Sequence, residues 1–285
     1  MTLHSENDSL PPRASPPQNG TAMTPPTLKT YRPLGSSTVA RTLTGIVTVV
    51  VVLAIWECVV KQGLIEALFL PAPSDIWARA VGMWGDGSLL GNILASTRRV
   101  MVGFILATIV AVPLGIVMGS SPFVMAIFNP LLSFLRPLPS MSWVPLSLLW
   151  FGISESQKYS IVFMGSLAPA LLYIIESTRN VDPILIRAAK NLGAKPHNVM
   201  FGVILPAALP QIITGLKVML GIAWTCVISA ELIAAREGLG FMIMNGKEYF
   251  QTDTVVLGMV LISVTVLVTD LVMRFIEKRL VSWQH

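Results

Sequence analysis

The chain has 285 residues, of which 53% are hydrophobic and only 12% charged, with 20 Lys and Arg against 15 Asp and Glu. A soluble domain carries about 25% charged residues, so this composition excludes an ordinary water-soluble enzyme and a disordered chain. Because the basic residues are scattered between long apolar runs, it also excludes a nucleic-acid binder.

Residues 1–40 hold Pro11, Pro12, Pro16, Pro17, Pro25, Pro26 and Pro33 and almost no aliphatic run. Such a stretch buries too little to offset its ordering entropy, which predicts a disordered cytoplasmic tail. The first apolar core begins near Leu43, too late for a signal peptide. Residues 41–67 are therefore expected to hold a retained first transmembrane helix, and 68–285 the main transmembrane domain. A helix needs about 20 apolar residues to cross a bilayer. The runs that qualify are Leu43–Val60, Val100–Gly119, Phe123–Leu135, Tyr159–Ile175, Ile212–Ala234 and Thr254–Phe275. The expected fold is all-α and polytopic, with about six transmembrane helices. Cys58 and Cys226 lie within these runs and read as buried thiols.

Asn129–Gly152 interrupts the pattern with Pro130, Pro137, Pro139 and Pro145 around Trp143 and Trp150. It reads either as a broken or re-entrant segment beside a pathway or as an extracytoplasmic loop with interfacial tryptophans. Counting Lys and Arg by alternate sides places twelve with the N-terminus and eight opposite, out of 20. That predicts both termini in the cytoplasm.

The longest cytoplasmic connection is then residues 176–211, and it has a grammar of its own. Asp182-Pro183 is a helix start. Ile184, Ala188 and Leu192 form an apolar stripe opposite Arg187, Lys190 and Asn191. Gly193 ends the helix, and a second short helix is expected from Pro196 to Leu205-Pro206. Two short amphipathic helices between spans suit a docking element, or a helix lying on the anionic inner leaflet.

The residue pattern shifts the balance toward the docking element. Ala188-Ala189, Gly193 and Val203-Ile204-Leu205-Pro206 resemble the EAA loop of ABC-importer permeases, with Arg187 where that loop usually carries an acid. The resemblance runs over roughly residues 68–280. It includes Leu70-Pro71-Ala72-Pro73, Arg98-Arg99 with Gly103-Phe104, Arg136-Pro137-Leu138-Pro139, Trp143-Val144-Pro145, Leu149-Trp150-Phe151-Gly152 and Ala230-Glu231-Leu232-Ile233. These are similar to nitrate/sulfonate/taurine-type permeases, and to taurine permeases above the rest.

The resemblance implies a permease subunit in a bacterial inner membrane, working as two copies with two ABC ATPase subunits and a soluble substrate-binding protein. ATP and Mg would then sit on the ATPase, with no cofactor in this chain. The coupling residues would be Arg187, Ala188, Ala189, Gly193, Leu205 and Pro206. Consistently, no Walker A phosphate-binding pattern occurs, and His4, His197 and His285 stand apart, so neither a catalytic residue nor a metal site is expected.

Among the remaining charges, Glu57 with Lys61 and Asp270 with Arg274 have ion-pair spacing on a helix. Arg98, Arg99 and Arg136 are expected at the outer mouth, either attracting an anionic solute or snorkelling to the interface. Trp143 and Glu231 are candidates for the pathway, although Glu231 also suits a structural role at the Gly238-Leu239-Gly240 turn. The rival to an ABC permease is a gradient-driven transporter, but neither an internal repeat nor a chain of midplane acids and bases is present.

Overall fold

The computed structural model describes residues 38–280, so the expected tail falls almost wholly outside the described residues. In chain order the helices are α1 (Thr38–Lys61), α2 (Pro73–Gly85), α3 (Ser88–Ser120), α4 (Pro122–Leu135), α5 (Val144–Phe151) and α6 (Glu155–Arg179). There follow α7 (Pro183–Asn191), α8 (Pro196–Val199), α9 (Leu205–Ala234), α10 (Leu239–Glu248) and α11 (Thr252–Leu280). A 3₁₀ turn, Ser140–Trp143, leads into α5, and a π-helical turn, Met200–Ile204, joins α8 to α9. No strand occurs among the described residues. The chain divides into two units, residues 1–50 and 51–285.

The first unit contributes an apolar stretch whose side chains, from Leu43 to Val50, lie exposed. The second unit has its core on α3, α6 and α9. Glycines set how closely these helices approach. A Cβ on Gly103 would overlap Val162, one on Gly115 would overlap Ile174, and one on Gly119 would overlap Thr178. Small residues of this kind let helix backbones meet where no hydrophobic force distinguishes protein from lipid. Replacing Gly115 by valine forces a methyl pair into the Ile174 side chain and should cost about 1–3 kcal/mol by overpacking. The expected result is a lower thermal midpoint in detergent for Gly115→Val. Gly91→Ala, where a Cβ meets nothing within 4 Å, should leave the midpoint unchanged or raise it.

These same pairs fix the topology. Along α3 and α6 the partners 103/162, 115/174 and 119/178 climb together, so the two helices run parallel. Between α6 and α9 they run in opposition, Gly165 against Cys226 and Tyr173 against Gly215. α11 opposes α9 in turn, through Trp224 Nε1 donating to Thr269 Oγ1 and Lys217 pairing with Glu277. Because α3 and α6 are parallel, the connection between them must return from one end of the bundle to the other. It does so through α4 and α5, bent by 91° at the intervening prolines. Asn129–Gly152 is therefore part of one broken span, neither a surface loop nor a hairpin back to the same side. Among the described residues five helices are long and apolar enough to cross a bilayer, and the bent pair makes the sixth crossing.

Large apolar side chains such as Ile109, Val260, Val264 and Leu267 point outward along the spans, a surface that water would not tolerate and lipid requires. Cys226 is buried as expected, whereas Cys58 lies on the exposed face of α1. An apolar run does not distinguish a lipid-facing position from a packed one. The bounds also differ from the sequence expectation. α3 starts at Ser88, well before Val100, so that Arg98 and Arg99 lie inside a helix rather than at its boundary. No break occurs at Leu205-Pro206 either, since α8, the π turn and α9 form one continuous helix over Pro196–Ala234. Pro206 has no N–H to return to Gly202, and the backbone absorbs the loss by widening one turn. Leu205 N accordingly donates to Met200 O, five residues back.

Candidate functional site

Two constellations occupy opposite ends of the bundle. The first is the loop that follows α6. The Asp182 carboxylate accepts a hydrogen bond from Ile184 N at 2.8 Å, with Pro183 at the first helical position. This satisfies one of the donors left open at a helix start. At the other end of α7, Gly193 N donates to Lys190 O and Ala194 N to Ala189 O, both at 3.0 Å. Gly193 has φ +82°. This is the double-bonded glycine cap that turns a chain sharply out of a helix.

The loop rests on the bundle through Ile186, Ala189 and Ala194, which pack against the core. The stripe of Ile184, Ala188 and Leu192 faces away from it, with Ile184 66% and Leu192 88% exposed. Arg187 is exposed beside this stripe, and its Nε lies 3.4 Å from Pro183 O. Leu205 packs against the core below and Pro206 is exposed. The short helix is thus amphipathic the wrong way round for self-burial. Its apolar face is offered outward on a rigidly capped frame.

The second constellation joins four elements at the far end. Arg99, on α3, is 1% exposed, and Glu231, on α9, is fully buried beside it, with Nη1 and Oε1 2.8 Å apart. The same Nη1 donates to Glu237 O, Nη2 pairs with Glu155 at 2.7 Å and with Glu237 at 3.3 Å, and Nε donates to Glu155. All five guanidinium N–H groups have acceptors, the fullest satisfaction this fork permits. Glu231 in turn accepts from Ser96 Oγ and from Gly240 N, and Ser96 Oγ accepts from Leu239 N. Asn92 Oδ1 accepts from Gly238 N, where φ is +119°.

Glu231 therefore holds the Gly238-Leu239-Gly240 turn, and Arg99 neither snorkels nor faces solvent. Arg98 is half-exposed and shares Glu155 at 3.1 Å. Ser96 belongs to the segment that carries the family resemblance, but Asn92, Glu155 and Glu237 carried no signal in the sequence, because Arg99 meets Glu231 across 132 positions of chain. The expected helical pairs are present, Glu57 with Lys61 at 2.6 Å and Asp270 with Arg274 at 2.8 Å. Glu57 also accepts from Ser74 at the start of α2.

Arg136 and Trp143 belong to neither end. They flank the break between α4 and α5, lining a cavity of about 70 Å³ with Gly165, Ala168 and Pro169 of α6. These α6 residues lie near the middle of the helix. Arg136 is exposed and has no hydrogen-bond or ion-pair partner among the described residues. Among the described residues, too, no group of three His, Cys, Asp or Glu is placed to hold a metal.

Residues 111–282 match the family model described as binding-protein-dependent transport system inner membrane component. The chain is 37% identical over 241 residues to the taurine transport system permease protein TauC of Escherichia coli, covering 83% of this chain and 88% of that one. It is 29% identical to the bicarbonate transport system permease protein CmpB of Synechocystis, over 81% and 86% of the two chains. Among solved structures, an inward-facing form of the MetNI methionine ABC transporter superposes with a TM-score of 0.60 at 16% identity, covering 70% of this chain and 97% of that one. At that identity the likeness concerns the fold alone.

Proposed function

The chain belongs to the family of binding-protein-dependent transport system inner membrane components, the transmembrane permeases of ABC transporters, and from that premise we propose that it imports a small sulfonate, taurine first. It would act in a bacterial inner membrane, with ATP hydrolysed on separate subunits. The similarity to TauC supports the substrate. The observation that carries the coupling is the outward apolar stripe of α7 on its capped frame.

In this reading two copies of the chain form the pathway, each offering one α7 to a groove on one of two ABC ATPase subunits. Ile184, Ala188 and Leu192 fill the groove, Arg187 borders it, and Gly193 fixes the angle at which α7 leaves the bundle. A soluble binding protein delivers the solute at the end that carries Arg99. ATP-driven closure of the ATPase pair displaces the two α7 helices and switches access from one end of the bundle to the other. The apolar strip that the chain itself leaves uncovered supports such a partner.

The test is reconstitution. The purified permease should hydrolyse no ATP alone, and should support taurine-stimulated hydrolysis once combined with its ATPase and binding protein in proteoliposomes. Native mass spectrometry should count two permease chains per complex. ATP hydrolysis by the isolated chain, or a single copy per working complex, would overturn this assembly. Competition of taurine uptake by bicarbonate and nitrate reads the substrate separately. Uptake of either of those in preference to taurine would replace the sulfonate assignment while leaving the ABC permease in place.

A further inference from the structure

Arg136 is in an unusual position for a cation in a membrane protein. The 3₁₀ turn at Ser140–Trp143 sits directly on α6, because a Cβ on Gly165 would meet Ser140 Cβ at 2.9 Å. Gly165 lies ten residues from the start of α6, which ends at Arg179. At 1.5 Å per residue that is roughly 15 Å along a helix of 25 residues, close to its middle. Arg136 is four residues before Ser140 and shares its cavity with Gly165, Ala168 and Pro169. It is therefore near mid-depth, far from the two ends of the bundle.

A charge at that depth costs about 2.5–3.5 kcal/mol on insertion scales and faces protein or water, not lipid. Other charged side chains of the bundle obey the rule by pairing: Arg99 is saturated, Lys217 has Glu277, and Arg274 has Asp270. Arg136 has none of these, and the two flanking helices end at its own break. Broken spans place irregular backbone at depth only where it lines a cavity.

We propose that Arg136 is the anion-binding residue of the translocation pathway, its guanidinium pairing with the sulfonate group of the solute at the α4–α5 break. The proposal rests on the importer reading above and deepens it. Two N–H groups of the guanidinium fork match two oxygens of a sulfonate or carboxylate. Trp143, beside it in the same cavity, supplies an apolar wall for the carbon chain that carries the acid.

The experiment uses the full complex in proteoliposomes, with taurine and ethanesulfonate as probes. Arg136→Gln should reduce uptake of both at least tenfold, with the KM raised, while ATP hydrolysis stimulated by the loaded binding protein persists. Arg136→Lys should retain part of the uptake. For a test independent of folding, Arg136→Cys is treated with a cationic ethylammonium methanethiosulfonate or with its neutral methyl counterpart. The cationic adduct should restore uptake and the neutral one should not. Arg136→Ala, which keeps Cys58 and Cys226, reports any effect at those thiols. Uptake by Arg136→Gln at the wild-type rate and KM, or rescue by the neutral adduct, overturns the proposal. Absence of taurine and ethanesulfonate uptake by the unmodified complex would refute the importer reading itself.

Discussion

Replacing Gly193 by valine is expected to abolish uptake while leaving the amount of permease in the membrane unchanged. The residue sits at φ +82°, where a β-branched side chain costs about 1–2 kcal/mol. That cost is too small to unfold six spans, none of which depends on this turn. It is large enough to favour a different exit from α7, in which the bonds from Gly193 N to Lys190 O and from Ala194 N to Ala189 O are given up. The stripe of Ile184, Ala188 and Leu192 would then point elsewhere and lose its fit to the ATPase. The measurement is pull-down of the ATPase and taurine uptake, each normalised to permease abundance. Lys195→Ala, at an exposed position in the same loop, serves as the control. A solvated charge there contributes well under 1 kcal/mol, so uptake should stay near wild type. Full uptake by Gly193→Val at normal abundance would return α7 to the status of a helix lying on the membrane surface.

The second large effect is on stability. Glu231→Ala removes the carboxylate that accepts from Arg99, Ser96 and Gly240, and leaves a guanidinium that is 1% exposed short of an acceptor. Breaking a buried pair in this way costs about 3–5 kcal/mol. The folded permease recovered from membranes should fall several-fold, with a lower thermal midpoint in the fraction that survives. Glu231→Gln keeps an oxygen for Gly240 N and should be the milder variant. Its uptake per folded molecule should match the wild type at unchanged KM. A raised KM for taurine in Glu231→Gln would show that this carboxylate meets the solute, contrary to the structural role derived from its bonds.

The apolar runs made the spans legible because the bilayer sets a length that few other environments demand. The capped helix at Asp182-Pro183 and Gly193 was legible for a different reason. Its signals are local, a side chain or a φ angle acting within four residues. What sequence could not supply was depth. Arg98-Arg99 looks like the polar edge of a span that begins at Val100, because nothing nearby announces Glu155, Glu231 and Glu237 as partners. α3 in fact continues upstream to Ser88. Arg136 looked similar, yet it lies at the middle of the bundle. The parallel run of α3 and α6, which shows that the bent pair crosses, follows from which glycine meets which side chain, and no single sequence expresses that. Leu205-Pro206 misled in the opposite direction. Proline usually marks a break, but here one widened turn carries the helix through.

That widened turn has a mechanical consequence. The helix from Pro196 to Ala234 has 39 residues, about 58 Å at the usual rise. One end begins three residues after the cap at Gly193. The other end carries Glu231, which grips the turn at Gly238 and, through Arg99, the first part of α6. Such a rod transmits displacement along its length with little loss, since nearly every peptide is tied to its neighbours one turn away, Pro206 and Pro210 excepted. Its softest joint is the π turn at Met200–Ile204, where the bonding register changes and proline removes a tie. A push delivered beside Pro196 therefore has two outcomes, set by the stiffness of five residues. Either the rod moves as one piece and the clasp at Gly238 shifts with it, or the joint flexes and the far end stays still.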